Sequence, residues 1–201
     1  MSKIDYKKIL QIKNKRPITC LTAYSEPIAK ILDGKVDLIL IGDSVGTSLY
    51  GMKNTRYVTL DMMKNHARAV VKNVSKSMTI VDMPFNTYRN KKEALKNAVD
   101  LLKFSKADFI KIETDKNNIE IVNYLTDNKI NVVSHIGITP QKFSDFKKIK
   151  SVGKTKSQIN KLLNLAIKLQ QTGSKLIVLE CMGKDASKMI TKNLSIPTIG
   201  I

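Results

Sequence analysis

The sequence contains no tryptophan, only 2 cysteines and only 5% aromatic residues in a chain of 201 residues. The two cysteines, Cys20 and Cys181, are too few for a disulfide framework, so we expect a reducing compartment, the cytoplasm. The scarcity of aromatic residues argues against a basic surface interleaved with rings that stack on nucleic-acid bases. Long apolar stretches are also missing, because none approaches the roughly 20 residues that span a bilayer. We therefore expect no membrane partner.

Acidic residues are scarce as well, since 17 Asp and Glu stand against 35 Lys and Arg and give a net charge of +18. The lysines are spread along the whole chain, as at residues 7–8, 91–92 and 147–148, instead of forming one basic arm. We interpret them as a solvated basic surface and expect no nucleic-acid partner. The alternative of a basic nucleic-acid binder would be identified by steeply salt-dependent binding to DNA or RNA.

What the sequence does contain is a series of short apolar runs rich in isoleucine and valine. Runs of this length and composition are typical of strands buried on both faces of a parallel sheet. The seven runs are residues 18–21, 38–41, 78–81, 109–112, 130–133, 176–179 and 198–201.

Between these runs the apolar residues recur at helical spacing, for example over residues 94–102 and 159–167. Asn90 is predicted to cap the first of these helices, and Gly173 to end the second. A short amphipathic helix over residues 6–12 precedes the first run. The alternation predicts one α/β domain over residues 1–201, with a short N-terminal helix followed by seven strands.

Two architectures accommodate such an alternation, a doubly wound sheet and a TIM barrel. The first run is not followed by the G-x-G-x-x-G pattern, which disfavours a dinucleotide-binding site. A TIM barrel has eight strands, whereas this chain stops on its seventh. We therefore expect a (β/α)8-type barrel that is C-terminally truncated after the seventh strand, with the eighth βα unit absent.

Polar residues recur where the predicted strands end, and the C-terminal rim of a barrel is where active sites form. Lys111 and Glu113 are two residues apart on one predicted strand, so their side chains are expected on the same face. The full set of rim residues comprises Asp43, Ser44, Asp82, Lys111, Glu113, His135 and Glu180.

Carboxylates on neighbouring strands, with no cluster of His or Cys, suit a hard divalent cation such as Mg²⁺. Asp43 and Asp82 are the natural direct ligands, and Glu113 is placed to act through water. Glu180 is then free for proton transfer, while Lys111 balances negative charge on a substrate oxygen.

A competing pattern is G-x-S-x-G at residues 42–46, which matches the nucleophile elbow of serine hydrolases. An elbow requires a helix directly after the turn, and here we expect about a dozen loop residues before a helix that starts near Thr59. The histidines, His66 and His135, are not placed as triad members. A serine hydrolase is therefore disfavoured.

The sequence resembles the ketopantoate hydroxymethyltransferase (3-methyl-2-oxobutanoate hydroxymethyltransferase) family over about residues 4–201. The order and spacing of eight short blocks carry the resemblance. They are LTAY at 21–24, IGDSVG at 41–46, YVTLDM at 57–62, VDMPF at 81–85, IKIE at 110–113, HIGITPQ at 135–141, VLEC at 178–181 and IPTIGI at 196–201.

The resemblance implies a TIM barrel of the phosphoenolpyruvate/pyruvate-binding superfamily that requires Mg²⁺. It implies transfer of a one-carbon unit from 5,10-methylenetetrahydrofolate to 3-methyl-2-oxobutanoate, which gives 2-dehydropantoate in pantothenate biosynthesis. It also implies a homo-oligomer, since members of this family are commonly decamers.

By the same resemblance, Asp43 and Asp82 bind the metal directly and contact the substrate, and Glu113 lies near the metal through water. The resemblance further implies that Ser44 and Lys111 hold the 2-oxo acid. Two residues complete the implied site: Glu180 as the proton acceptor and His135 lining the pocket.

Three features depart from the family pattern, and one of them is Ser25, which stands beside Tyr24 where the family often has an acid. Residues 146–154 are rich in lysine where the family has a glycine-rich loop, and the chain lacks the eighth strand. Two alternatives follow for the function. One is a truncated, non-catalytic barrel, and the other is a magnesium-dependent lyase of the same superfamily that acts on another 2-oxo acid without folate.

Overall fold

A computed structural model describes residues 3–145 and 149–201 of the chain. The first three residues of the lysine-rich segment at 146–154 therefore lie outside the described residues.

Seven parallel strands form a nearly closed barrel in which every strand lies beside its neighbours in sequence. This order confirms the predicted barrel architecture. In chain order the strands are β1 (Cys20–Thr22), β2 (Leu38–Ile41), β3 (Met78–Asp82), β4 (Phe109–Glu113), β5 (Val132–Gly137), β6 (Leu176–Glu180) and β7 (Thr198–Gly200).

The helices follow the strands as crossover connections, apart from α1, which precedes β1. Short 3₁₀ turns lie at Thr55–Tyr57 and Pro140–Lys142. The helices are α1 (Tyr6–Ile12), α2 (Glu26–Leu32), α3 (Val45–Ser48), α4 (Leu60–Val71), α5 (Lys91–Ser105), α6 (Ile119–Asp127), α7 (Lys156–Gln171) and α8 (Lys184–Asn193). None of these helices has the length and apolar character that a bilayer crossing requires.

All seven predicted strands form, and the largest errors in their boundaries are at β1 and β5. The first strand begins at Cys20 instead of residue 18, because the carboxylate of Asp37 accepts hydrogen bonds from the backbone N–H and the hydroxyl of Thr19. The fifth strand runs to Gly137, so His135 lies inside β5 instead of after it. His135 lies on the interior face with Val133, and this polar residue conceals the end of the strand from an apolar pattern.

Burial differs between the middle and the end strands. Strands β2 to β6 are almost entirely buried, as predicted for a parallel sheet. The prediction was wrong for β1 and β7, where Leu21 is 52% exposed and Gly200 is also exposed. Among the described strands, β1 pairs with β2 alone and β7 with β6 alone, so each of them is covered on one side only.

Alternate residues of each strand pack into two separate cores, as the pleat of a strand requires. One core lies between the strands and the surrounding helices and includes Ile39 and Ile41. The other fills the barrel interior and includes Leu38 and Phe109. Helix α1 contributes Ile9 to this interior core, so the interior is apolar below the layer of the predicted site residues.

Local capping follows the sequence. The Asn90 side chain accepts a hydrogen bond of 3.0 Å from Glu93 N at the start of α5, and Thr59 caps α4 in the same way. Gly173, with a φ of +92°, lies just beyond the end of α7. Both predicted helix boundaries are confirmed, because the Asn90 side chain satisfies an N–H group at the start of α5 and Gly173 N donates to the Gln170 backbone oxygen at the end of α7.

Candidate active site

The register of the central strands collects the predicted rim residues at one end of the barrel. Asp82 lies beside Lys111 on the neighbouring strand, Glu113 lies beside His135, and Glu180 ends β6. Because the strands are parallel, their carboxyl ends meet at the same rim. The residues that hydrogen bonds and ion pairs link there are Asp43, Asp82, Lys111, Glu113, His135 and Glu180.

A buried ion pair lies at the centre of this site. Lys111 Nζ is 3.0 Å from Asp82 Oδ1, and the two side chains are only 8% and 4% exposed. Burial by itself lowers the pKa of Lys111, but the charges of Asp82, Asp43 and Glu113 outweigh it and raise the pKa. Lys111 therefore keeps its positive charge inside the barrel.

His135 lies between Lys111 and Glu180. Its Nδ1 is 3.4 Å from Lys111 Nζ, and its Nε2 is 3.2 Å from Glu180 Oε2. Burial and the charge of Lys111 lower the pKa of His135, which favours a neutral ring. An ammonium group only donates hydrogen bonds, so Nδ1 is assigned as the acceptor and the proton is assigned to Nε2, on the side of Glu180.

Glu180 differs from the other charged residues of the site in its exposure. Its side chain is 24% exposed, whereas the neighbouring His135 is 1% exposed. The contact between them lies outside hydrogen-bond geometry, and His135 Nε2 has no hydrogen-bond partner among the described residues. Glu180 is therefore a carboxylate that a substrate can reach from the mouth of the barrel.

Asp43 and Asp82 each present one oxygen held by an N–H group and one oxygen without such a bond. Asp82 Oδ2 accepts 3.0 Å from Asp43 N, and Asp43 Oδ2 accepts 2.7 Å from Gln141 Nε2. Asp82 Oδ1 has the ion pair to Lys111 but no hydrogen bond to a described residue. The Oδ1 atom of Asp43 also makes no hydrogen bond within the described part of the chain.

The carboxyl groups raise one another's affinity for protons. Burial, with the charge of Asp82, raises the pKa of Asp43 to about 7. Burial likewise raises the pKa of Glu113 to about 8, although Lys111 and the backbone N–H of Gln141 act in the opposite direction. A single lysine does not balance several buried carboxylates, so a bound cation would stabilise their charged forms.

The donor set fits magnesium. All candidate donors are oxygen atoms, and Mg²⁺ commonly binds one or two carboxylates and completes its shell with water and substrate oxygens. The described residues contain no group of three or more His, Cys, Asp or Glu side chains arranged as a ready-made metal cage. Asp43 and Asp82, each with an oxygen free of hydrogen bonds, are the pair that would hold the ion.

Ser44 joins the site from the turn after β2. A side-chain carbon at Gly42 would lie 2.9 Å from Ser44 Oγ and at an ordinary contact distance of 3.6 Å from Asp82 Oδ2, so both groups lie next to this glycine. The Ser44 hydroxyl shares a 2.6 Å hydrogen bond with the Tyr24 hydroxyl. Tyr24 in turn is held through its backbone oxygen, which lies 2.7 Å from His66 Nδ1.

The prediction of a long loop directly after Ser44 was wrong, because the four-residue helix α3 follows at once. The turn nevertheless lacks the features of a nucleophile elbow. Ser44 has an unstrained φ of −56°, and the described contacts of its hydroxyl include no histidine. The structure therefore gives this serine no general base, in agreement with the sequence analysis.

Sequence reasoning assigned no role to three residues that contact the site: Tyr24, Tyr88 and Gln141. Gln141 makes hydrogen bonds to both Asp43 and Glu113, and Tyr88 donates one to Gln141 Oε1. Uncharged groups escape a search for titratable side chains. The available signal was Pro140, which starts the 3₁₀ turn that carries Gln141 just beyond the end of β5.

A pocket of about 160 Å³ opens beside the cluster. It shares Glu113, Gln141 and Tyr88 with the site, and Phe85 and Arg89 line its outer part. This pocket gives a small molecule access to the carboxylate layer.

Solved structures with the same fold come from enzymes that act on small organic acids. A phosphonopyruvate hydrolase in complex with oxalate and Mg++ has a TM-score of 0.69 at 13% identity, and the match covers 98% of this chain and 72% of that one. A 2,3-dimethylmalate lyase, a member of the PEP mutase/isocitrate lyase superfamily, has a TM-score of 0.68 at 11% identity and covers 98% and 71%. These matches show the fold.

Sequence relatives are much more similar. The 3-methyl-2-oxobutanoate hydroxymethyltransferase of Pelagibacter ubique is 46% identical over 198 residues, which covers 97% of this chain and 76% of the relative. The enzyme of that name from Rhizobium etli is 40% identical and covers 96% and 71%. The family model described as ketopantoate hydroxymethyltransferase matches residues 3–201. This chain therefore belongs to the ketopantoate hydroxymethyltransferase family.

Proposed function

We propose that this chain is a 3-methyl-2-oxobutanoate hydroxymethyltransferase that makes 2-dehydropantoate for pantothenate synthesis in the cytoplasm. Its carbon donor is 5,10-methylenetetrahydrofolate, and its metal is Mg²⁺. The observation that carries the proposal is the buried cluster in which Asp43 and Asp82 adjoin Lys111 and the accessible carboxylate of Glu180. Membership of the family indicates that the substrate bound at this cluster is 3-methyl-2-oxobutanoate.

Binding of the 2-oxo acid uses the positive and hydroxyl groups of the site. Lys111, charged and 8% exposed, attracts the substrate's oxygens in a region of low dielectric constant. The Ser44 hydroxyl, oriented by Tyr24, donates a hydrogen bond to the acid. His135 belongs to the same site, with its Nε2 3.2 Å from Glu180 Oε2.

Proton transfer belongs to Glu180. Its carboxylate takes the proton from C3, the tertiary carbon beside the keto group, and the electron pair of that C–H bond passes to the enolate of the substrate. Lys111 stabilises the negative charge that develops on the keto oxygen. The deprotonated C3 then bonds to the methylene carbon of the folate as one C–N bond of that carbon breaks. The second C–N bond breaks as water supplies the hydroxyl of the hydroxymethyl group, and the nitrogens take up the protons, which releases tetrahydrofolate.

Asp43 and Asp82 would hold the Mg²⁺ ion directly, and Glu113 would act through water. When bound, the ion supplies a Lewis acid for the keto oxygen, where the enolate charge accumulates. Support for this part of the proposal comes from the oxygen-only donor set. Further support is that a protein of the same fold binds oxalate and Mg++.

The proposal is tested by measuring 2-dehydropantoate formation with Mg²⁺, 3-methyl-2-oxobutanoate and 5,10-methylenetetrahydrofolate present. We expect product formation that depends on all three. Metal binding without turnover would instead identify a non-catalytic barrel. Cleavage of a 2-oxo acid without folate would identify a lyase.

We also propose that the chain forms a homo-oligomer, a decamer by analogy with its family. Exposed apolar side chains support an interface, since Ile28, Ile31 and Leu49 are 43%, 55% and 57% exposed. Light scattering during gel filtration tests this proposal. A mass equal to one 22.6 kDa chain would contradict it.

A further inference from the structure

We propose that Gln141 is a positioning residue that orients Asp43 toward the metal and the 2-oxo acid. This inference rests on the proposed function, because it concerns the same site. Gln141 is 4% exposed. Its described hydrogen bonds reach neither Glu180, the proposed base, nor Lys111. It acts through the carboxylate it holds.

The contacts of Gln141 use both N–H bonds of its side-chain amide, the amide oxygen and the backbone N–H. Its Nε2 donates to Asp43 Oδ2 at 2.7 Å and to the backbone oxygen of Met83 at 3.0 Å. Its Oε1 accepts a hydrogen bond from the Tyr88 hydroxyl. Its backbone N–H points to the Glu113 carboxylate, 3.1 Å from Oε1 and 3.2 Å from Oε2.

These partners determine which way the amide points. Asp43 Oδ2 and the Met83 carbonyl accept hydrogen bonds and cannot donate them, so they require the NH₂ group. The Tyr88 hydroxyl donates to the amide oxygen on the opposite side. A flipped amide would place its oxygen against two acceptors, so only one orientation is compatible with the site.

No other side chain reproduces this pattern. Glutamate offers no N–H group and would add a negative charge 2.7 Å from the carboxylate of Asp43. Methionine has a similar length but neither donates nor accepts a strong hydrogen bond. Asparagine is one methylene shorter and does not span the same distance from the backbone of residue 141.

The consequence of this hydrogen bond lies in the other oxygen of Asp43. With Oδ2 held by Gln141, Oδ1 stays free of hydrogen bonds to the described residues, while the backbone N–H of Asp43 donates to Asp82 Oδ2. Without the amide, the Asp43 carboxylate loses the bond that fixes its rotation. A metal or substrate then has to order this side chain when it binds.

Glu113 provides an internal comparison. It is held by the backbone N–H of residue 141, which every amino acid except proline supplies. Substitution of the Gln141 side chain therefore removes the bond to Asp43 and retains the bond to Glu113. A single substitution therefore tests the hydrogen bond to Asp43 separately from the hydrogen bond to Glu113.

The test measures binding of Mn²⁺ to chelator-treated protein, from the loss of the electron paramagnetic resonance signal of free Mn²⁺. We expect Gln141→Met to weaken binding about 10-fold to 100-fold, as loss of an outer hydrogen bond to a metal ligand does. Gln158→Met is the matched control, because Gln158 is exposed on α7 and its side chain caps only Lys154 N. It should bind Mn²⁺ like the unchanged protein.

Tyr88→Phe gives a milder second variant that keeps the ring. As a single substitution, Tyr88→Phe should weaken Mn²⁺ binding about 3-fold to 10-fold. Added to Gln141→Met, it should have no further effect, because the Tyr88 hydroxyl acts through the Gln141 amide. Equal effects in both backgrounds would overturn the proposal. So would tight binding by a folded Gln141→Met protein, with folding checked by urea unfolding.

Failure of the proposed function gives a different result. A protein that makes no 2-dehydropantoate but binds Mn²⁺ in a Gln141-dependent manner would overturn the function and support the positioning role. A protein that makes the product and binds Mn²⁺ independently of Gln141 would support the function and overturn the positioning role. No Mn²⁺ binding by the unchanged protein would also overturn this inference.

Discussion

At the scale of single residues, Lys111 determines which ring nitrogen of His135 carries the proton. Its ammonium group lies 3.0 Å from Asp82 Oδ1 and 3.4 Å from His135 Nδ1. Because an ammonium group can only donate hydrogen bonds, Nδ1 of His135 is the acceptor and the ring proton lies on Nε2, on the side of Glu180. Glu180 therefore faces an N–H group of His135 and not a lone pair.

Glu180→Gln should abolish exchange of the C3 proton of 3-methyl-2-oxobutanoate with solvent, because the amide is not a base. We expect a loss of at least about 100-fold, measured by proton magnetic resonance in D₂O. Mn²⁺ binding should survive, since Glu180 is separate from the proposed ligands. Glu120→Gln, at a site 81% exposed, is the control. Unchanged exchange in the Glu180 variant would remove it from this role.

Asp82→Ala should raise the Mg²⁺ concentration needed for half-maximal activity by more than about 10-fold, since a direct ligand matters at least as much as an outer one. It should also destabilise the fold by about 3 kcal/mol, because Lys111 loses the partner of a buried ion pair. Activity against Mg²⁺ and urea unfolding measure the two effects. Asp61→Ala, where the side chain is 86% exposed, is the control. An unaltered Mg²⁺ titration would refute the assignment of Asp82.

At the scale of elements, the ends of β5 and β6 approach closely where Glu180 is positioned. Gly137 has a φ of +104°, and Ile138 N donates to the Glu180 backbone oxygen at 2.9 Å. A side-chain carbon at position 137 would lie 2.3 Å from that oxygen. Glycine is required here for both the backbone conformation and the space.

Gly137→Ala should therefore destabilise the protein by about 3 kcal/mol and lower its activity, because β5 must move away from β6. Gly51→Ala is the matched control, with a φ of +64° and no atom within 4 Å of the added carbon. Gly51→Ala introduces backbone strain without a steric clash and should lower the free energy of unfolding by about 1 kcal/mol. Urea unfolding of both variants measures the difference. Equal losses would show that the close approach to Glu180 is unimportant.

A second element, the turn between α2 and β2, is joined to the start of β3 by Asp33. Its carboxylate accepts hydrogen bonds from the N–H groups of Ser75, Lys76 and Ser77 and from the Ser75 hydroxyl. Burial opposes these bonds, but they outweigh it and lower the pKa of Asp33 to about 2. The charged carboxylate is therefore the form that stabilises this junction.

A folded-state pKa below the ordinary value of 3.8 means that the stabilisation is complete above about pH 4 and is lost as pH falls toward 2. Asp33→Asn should cost about 1 kcal/mol at pH 6. The difference between the two proteins should shrink as pH is lowered from 5 to 3, as measured by urea unfolding. A difference that is constant with pH would contradict the role of the charge.

At the scale of the whole molecule, the strands share two continuous cores. Helix α1 packs Ile9 against the interior core, which also contains Leu38, Phe109 and Ile199 from β2, β4 and β7. Residues from both ends of the chain thus bury one another. We propose on this basis that residues 1–201 form one folding unit.

Thermal unfolding should then show a single transition that coincides by circular dichroism and by tyrosine fluorescence. Mg²⁺ at about 100 times its dissociation constant should add about 2.7 kcal/mol and raise the midpoint by about 5 to 10 °C. Asp82→Ala should abolish this shift. Two separate transitions would contradict a single folding unit, and a midpoint unaffected by Mg²⁺ would contradict the metal site.

The sequence by itself determined the order of strands and helices. Apolar runs, helical spacing and caps such as Asn90 depend on residues close together in the chain, so they were readable without the fold. The position of polar residues such as Asp82 and Glu180 after buried runs also predicted one shared rim, because parallel strands end at the same edge.

Only the tertiary structure decided which oxygens are held and which are free. The bond from Gln141 to Asp43 joins residues 98 positions apart, and the Tyr24–Ser44 bond joins loops after different strands. No local pattern specifies such pairs, because they depend on the register and the closure of the barrel. The raised pKa of Glu113 has the same origin, since burial by distant segments creates it.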